Sequence, residues 1–333
     1  MLGFSILIAA YNVSDYIEEC LDSVKMQTYE KWEVIIVDDG STDDTGIICD
    51  RYARQDKRIT VIHQKNHGVA VARNYLLNKA KEDYIIFLDG DDFWRSERML
   101  TELAYAIEAN CADIVAWWLV TYDTYTGKIK ENKNFIEEKA ETQSGAEFME
   151  SILFKKPIAF NWWGCMYAFQ RSLWTNSGIM FTKGRKIRED VEVLFKVFLQ
   201  AKKVWVIGKY YYSYRTNREN SATQKVSLDK LIDSLEVAER NISYLKKSCE
   251  INERLKKVLE SNFASIFMRV GTCLYELDEK ERKEFHKNLK DRRWMLKNIS
   301  KCGTIKFRIK VMLVRILGVK TGFRLLWWRE KKY

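Results

Sequence analysis

The sequence predicts an α/β protein: a mainly parallel sheet covered by helices, followed by a helical C-terminal region. Three observations carry that expectation. Strand-like and helix-like patterns alternate through the first hundred residues, carboxylates collect where the apolar runs end, and helical periodicity takes over after Ser227.

The elements follow in order. "FSILIAAY" reads as a first strand, and "SDYIEECLDSVKMQ" as a helix with Tyr16, Ile17, Leu21 and Val24 at helical spacing. "EVIIVDD" is the second strand. "STDDTGIICDRYARQ" opens with Ser41 and Asp44 in capping-box positions and continues as a helix. "ITVIHQ", "GVAVARNYLLNKA" and "YIIFLDGDD" repeat the unit. From Asp113 to about Asn220 the pattern loosens into "DIVAWWLVTYD", an acidic stretch from Glu131 to Glu141, the aromatic "FNWWGCMYAF" and "KVWVIGKYYYSYR". "SLDKLIDSLEVAERNISYL" then carries apolar residues at 228, 231, 232, 235, 238, 242 and 245, an amphipathic helix, and the pattern resumes after Asn252.

Composition narrows the function classes. The chain of 333 residues is 47% hydrophobic and 13% aromatic, enough for a full core in one large domain or two. Seven cysteines stand singly, which points to reduced thiols in a cytoplasmic compartment and argues against a disulfide frame or a zinc site. Three histidines leave little material for a histidine-ligated metal or a Ser/His/Asp relay. "MLGFSILIAAYN" lacks a basic leader and a cleavage site, so it reads as a strand and not as a signal peptide. No apolar run reaches the roughly 18 residues of a spanning helix. The net charge is +10, and from Lys301 onward ten basic residues face Glu330 alone, 10 − 1 = +9. A charge so concentrated speaks against nucleic acid as the partner.

The candidate site begins with "YIIFLDGDDFW". A buried strand runs into Asp89, Asp91 and Asp92, three carboxylates that repel one another unless a cation sits on them. A second acidic pair, Asp38-Asp39, also ends a strand. In parallel sheets ligands sit at the carboxyl ends of the strands.

With "VDDGSTDDT", "NHGVAVARN" and "FLDGDDFW" in this order on successive strand-to-helix units, residues 4 to 222 resemble the family-2 glycosyltransferases of the GT-A fold. The likeness is greatest to bacterial enzymes of capsule, exopolysaccharide or lipopolysaccharide synthesis. The resemblance implies a Rossmann-like GT-A nucleotide-sugar domain with a UDP-sugar donor and Mn²⁺ or Mg²⁺, hard cations that take oxygen ligands and neutralise a leaving diphosphate. It implies that Asp91 ligates the metal, that Asp89 holds ribose or the metal's waters, and that Asp39 accepts a hydrogen bond from uracil. Ala9 and Tyr11 would line the nucleoside pocket, with Tyr11 equally readable as core. Arg73 would lie near the pyrophosphate or base, or else snorkel to solvent. In the fourth motif, "GRKIREDVEVLF", Asp190 matches the general base of an inverting transfer. Arg188, Arg215 and Arg218 are cations able to clamp phosphate or equally surface residues, and Trp162 and Trp163 could stack on a sugar or, more commonly for tryptophan, lie in the core. Two departures stand out: Glu82 and Cys165 replace the glycine and lysine usual in relatives.

The expected organisation is a nucleotide-sugar half at 1–112, an acceptor half at 113–222, a helical region at 223–300 and a basic amphipathic tail at 301–333. The expected function is transfer of a hexose or hexosamine from a UDP-sugar to a lipid-linked saccharide or polysaccharide acceptor in bacterial surface polysaccharide synthesis. The enzyme would be cytoplasmic and peripheral at the inner face of the cell membrane. Its partners would be the UDP-sugar, the acceptor and an anionic membrane surface, with no nucleic acid. The tail "TIKFRIKVMLVRILGVKTGFRLLWWREKKY" alternates basic and apolar residues, yet its basic side chains spread around the helical wheel without one clean stripe. The alternatives are a metal-dependent nucleotidyltransferase, against which the absence of a glycine-rich phosphate loop counts, and a non-catalytic scaffold, against which Glu189-Asp190 counts.

Overall fold

The computed structural model describes residues 1–132, 141–155, 162–218, 226–299 and 304–331. Most of the acidic stretch and the first residues of "FNWWGCMYAF" lie outside them. The chain divides into two compact units: residues 1–148, 162–185 and 193–219, and residues 149–161, 186–192 and 220–333.

The first unit is built on one sheet. Its strands are β1 (Phe4–Ala10), β2 (Trp32–Asp38), β3 (Ile59–His63), β4 (Tyr84–Phe87), β5 (Phe93–Trp94), β6 (Ile114–Asp123), β7 (Ile129–Asn132), β8 (Tyr167–Gln170) and β9 (Val204–Thr216). The order is β3-β2-β1-β4-β8-β6-β9-β5, with β7 paired to β6. β1 to β4 run parallel, β8 is antiparallel to both β4 and β6, and β9 returns parallel to β6. The nearly continuous burial of β1, β2 and β4 follows from helix cover on both faces of a parallel sheet.

Helices α1 (Ile17–Lys25), α2 (Thr45–Gln55), α3 (Val69–Lys79), α4 (Met99–Asn110), α5 (Gly145–Lys155), α6 (Ser172–Thr175) and α7 (Glu189–Gln200) connect the strands. The strand-helix alternation expected over residues 4–92 is therefore present, element by element. The segments 1–112 and 113–222 contribute to the same sheet. One local expectation needs correction: α2 starts at Thr45, after Asp44, with no side-chain cap. Ser41 instead accepts a hydrogen bond from Asn12 N at 3.0 Å, and Asn12 Oδ1 accepts one from Thr42 N at 2.8 Å, tying the ends of β1 and β2 together. The turn residues were drawn to a neighbouring strand end and not to their own helix.

The second unit contains α8 (Leu228–Lys247), α9 (Glu253–Thr272), α10 (Glu279–Asp291), α11 (Met295–Asn298) and α12 (Ile305–Lys331). The apolar stripe of α8 is buried at Leu231, Leu235, Ala238, Ile242 and Leu245, as its spacing predicts. Val311, Val314, Val319, Phe323 and Leu326 of α12 also enter this unit's core. A Cβ on Gly271 of α9 would come 2.0 Å from the Phe323 ring, so glycine there lets α12 seat. All cysteines among the described residues are free thiols.

Candidate active site

Three parallel strands end together in the first unit, and each delivers site residues. β1 delivers Ala9 and Tyr11, β2 delivers Asp38 and Asp39, and β4 delivers Asp89 to Asp92. Tyr11 is 48% exposed, so it is not core.

Asp39 is buried and its carboxylate gathers a loop. Oδ1 accepts from Gln64 Nε2 at 2.7 Å and His67 N at 2.9 Å, and Oδ2 accepts from Gly68 N at 2.8 Å. Each carboxylate oxygen has two lone pairs, so one acceptor direction on Oδ2 is left for a ligand donor. Asp38 fixes the turn: Oδ1 accepts from Ser41 N at 3.0 Å, and Oδ2 pairs with His63 Nδ1 at 2.9 Å. His63 Nε2 also meets Asp50 at 3.1 Å, and these two carboxylates, Asp38 first, hold the imidazole above its ordinary range. Gly40 between the turn and the loop has φ +74°, and a Cβ there would strike Asn66 N at 2.7 Å, so no other residue fits.

The acidic cluster on β4 splits into two kinds of carboxylate. Asp92 is wholly buried, accepting from Tyr212 Oη and from Arg215 N, both at 2.7 Å. Burial and its neighbours Asp91 and Asp89 push its carboxyl well above the usual range. Asp92 therefore stitches the β4 loop to β9. Asp89 and Asp91 instead meet cations: Arg73 Nη2 reaches Asp89 Oδ1 at 3.0 Å, and Arg218 forms an ion pair with Asp91. Burial raises the Asp91 carboxyl, Arg218 opposes that shift, and Asp89 adds to it. The repulsion posed by the sequence is thus answered within the chain by two guanidinium groups.

Arg73 does not snorkel. It is 6% exposed, with its guanidinium beside Phe87 and Phe181, 5.7 and 5.6 Å from their ring centres. Arg215, open from the sequence as a phosphate clamp or a surface residue, is buried and engaged within the fold. Its Nε donates to Asp91 O at 2.7 Å and its Nη2 to Glu19 at 2.5 Å, within a cage of Tyr16, Phe93 and Tyr122. Trp162 is buried against Phe195, whereas Trp163 is 39% exposed and stacks on Tyr214 at 5.9 Å and 5°.

Asp190 belongs to the second unit, in the first turn of α7 with Glu189 and Glu192, where carboxylates complement the helix dipole. Sequence reasoning missed what holds this turn. Asp233 Oδ2 accepts from Lys186 N at 2.9 Å and Ile187 N at 3.2 Å, and Asn241 Nδ2 donates to Val191 O at 2.8 Å. Arg188, two residues before Asp190, has φ +62° and donates from Nε to Ser234 Oγ at 3.0 Å. Burial, then Arg269, pull its guanidinium down to about 10. The signal was present: Asp233, Ser234 and Asn241 are buried polar residues on an otherwise apolar side of α8.

Comparison with known proteins decides the family. The model of "Glycosyl transferase family 2" matches residues 5–176. The chain belongs to glycosyl transferase family 2. Glycosyltransferase EpsJ of Bacillus subtilis strain 168 is 32% identical over 223 residues, 66% of this chain but only 62% of EpsJ. Glycosyltransferase GlyG of Streptococcus pneumoniae serotype 4 is 30% identical over 249 residues, covering 72% of this chain and 79% of that protein. Among solved structures, residues 1–349 of S. aureus TarS in complex with UDP-GlcNAc superpose with a TM-score of 0.77 at 19% identity, over 99% of this chain and 92% of that one. That likeness shows the fold, which in this family-2 chain is the GT-A arrangement expected from its motifs.

Proposed function

We propose that this family-2 chain is a metal-dependent inverting glycosyltransferase that moves a hexose or hexosamine from a UDP-sugar to a lipid-linked saccharide or polysaccharide acceptor. The observation that carries the reading is the pair Asp89 and Asp91 at the carboxyl end of β4, which meet cationic partners, Arg73 and Arg218, while Asp92 is consumed by the fold. Two carboxylates suit a hard divalent cation whose remaining ligands are water and diphosphate oxygens. Mn²⁺ or Mg²⁺ bound there supplies charge neutralisation for the departing diphosphate. Asp91 would ligate the ion and Asp89 would hold its waters or the ribose.

The other residues take complementary roles. The spare acceptor direction on Asp39 suits the N–H of a uracil ring, and Tyr11 and Ala9 border that pocket. Arg73 orients Asp89 and adds positive charge near the diphosphate. Asp190 takes the proton of the attacking acceptor hydroxyl, and the side chains of α8 hold its turn in place. The exposed Trp163-Tyr214 stack offers a flat apolar face of the kind that sugars pack against. The UDP-GlcNAc bound to TarS supports the choice of a uridine donor. A lipid-linked acceptor fits a peripheral place at the inner face of the bacterial membrane, with the basic tail toward anionic lipid.

The test is a thermal-shift panel of UDP-, GDP- and dTDP-sugars with and without Mn²⁺. A ligand at 100 times its Kd stabilises the native state by about 2.7 kcal/mol. A shift confined to UDP-sugars, and larger with Mn²⁺, is expected. Equal shifts for all nucleotides, or none, would overturn the donor assignment.

A further inference from the structure

The wheel of the C-terminal helix becomes interpretable once its buried side is known. α12 is broken at Gly318, whose φ of 78° and ψ of 169° are not helical. In the arm before the break, Val311 and Val314 face the core of the second unit. The opposite side carries Ile305, Ile309, Met312 and Ile316, exposed by 74, 50, 59 and 67%. Their spacing of 4, 3 and 4 residues confines them to an arc of about 60° at 100° per residue. Lys306 and Lys310 flank the stripe on one side and Arg308 on the other, where Arg315 turns its guanidinium to Leu296 O and Ile299 O. The tail thus has two apolar faces, one spent on the fold and one turned outward, with cations between them.

We infer that this outward stripe is a docking surface for an anionic lipid bilayer, with the arm lying in the plane of the interface. Charge decides between a membrane and the main competitor, a second copy of the chain. The 4-3-4 spacing also suits a coiled-coil seam, but the positions beside such a seam include Lys306 and Arg308, which would face like charges across a self-pair. The helix carries seven basic residues and no acidic one between Ile305 and Arg329. Anionic headgroups suit Lys306 and Arg308, exposed beside the stripe, while the stripe enters the acyl boundary, and the combination of one apolar and one electrostatic signal is what reversible surface binding needs. Trp328, 55% exposed beyond the break, is the side-chain type favoured at headgroup depth. The inference deepens the lipid-linked acceptor proposed above and rests on it for purpose.

Deleting the tail is a poor test, because Val314, Phe323 and Leu326 fill the core of the second unit. Point changes on the outward stripe leave that packing alone. The full chain, the double variant Ile309→Ser with Met312→Ser, and the double variant Lys306→Gln with Arg308→Gln are sedimented with vesicles of equal parts phosphatidylglycerol and phosphatidylcholine, and with phosphatidylcholine alone. Thermal melts and binding of UDP are read on the same samples. The wild type should pellet with the anionic vesicles and be released by salt. The serine variant should lose more than about tenfold in partitioning, and the glutamine variant about thirtyfold, as expected for two charges at about 1 kcal/mol each. Both variants should melt and bind UDP as the wild type does. Undiminished pelleting of the serine variant, or equal binding to neutral vesicles, overturns the inference. So does a wild-type dimer that becomes monomeric in the serine variant without vesicle binding in either. A chain that binds vesicles but no UDP-sugar refutes the proposed donor and leaves this surface standing; UDP binding without vesicle binding does the reverse.

Discussion

Replacing Asp92 by alanine should damage the fold, whereas replacing Asp91 by asparagine should damage the chemistry. Asp92 accepts two hydrogen bonds at 2.7 Å from donors it shields completely, Tyr212 Oη and Arg215 N. Alanine leaves both donors buried without a partner, at about 1–3 kcal/mol each, or roughly 2–6 kcal/mol together. Relief of the buried charge offsets part of this, since burial already works against ionised Asp92. At about 2–4 °C per kcal/mol, the melting temperature should fall by on the order of 10 °C. Asp91 is different: burial already opposes its charge, and its ion pair with Arg218 is the charge contact it loses. Asp91→Asn should therefore melt within a few degrees of wild type while Mn²⁺-dependent transfer and Mn²⁺-induced stabilisation disappear. Thermal melts by circular dichroism, with and without Mn²⁺, read both variants. An Asp92→Ala protein that melts with the wild type refutes the structural assignment, and an Asp91→Asn protein that still responds to Mn²⁺ refutes the metal one.

Two further outcomes are expected. Asp190→Asn should lower kcat by at least a hundredfold, the usual worth of general-base catalysis, with UDP affinity nearly unchanged; a matching loss of UDP binding would show that it supports the donor pocket instead. For His63, whose value in the folded state is raised by Asp38 and Asp50, the stability it contributes is fully present below its unfolded pKa of about 6.5 and is lost as pH rises through the raised folded value. His63→Gln should therefore melt lower than wild type at acidic pH by a margin that shrinks as pH rises through that window, a modest one because the ring is half exposed; a margin that is constant with pH would rule the linkage out.

The strands and helices of the first ninety residues were legible because each is declared by local chemistry. Nearly continuous apolar runs mark β1, β2 and β4, and helical spacing marks α1 and α3. The motifs at their ends identified the family, since the C-terminal ends of parallel strands bring Asp39, Asp89 and Tyr11 to one edge whatever the loops do. Burial and pairing were not legible, because they depend on residues far away in the chain. Nothing around position 92 announces that Tyr212 and the backbone at Arg215, more than a hundred residues later, will claim Asp92 and leave Asp89 and Asp91 to Arg73 and Arg218. Ser41 and Asp44 look like a helix cap until Asn12 takes Ser41. The same holds for the tail. Its sequence determines a basic, apolar helix, but a wheel cannot show which apolar residues pack inward; only the seating of Val314 and Phe323 in the second unit leaves Ile305, Ile309, Met312 and Ile316 as the outward face. Sequence fixes what each residue can do, and long-range packing decides which partners it has left to do it with.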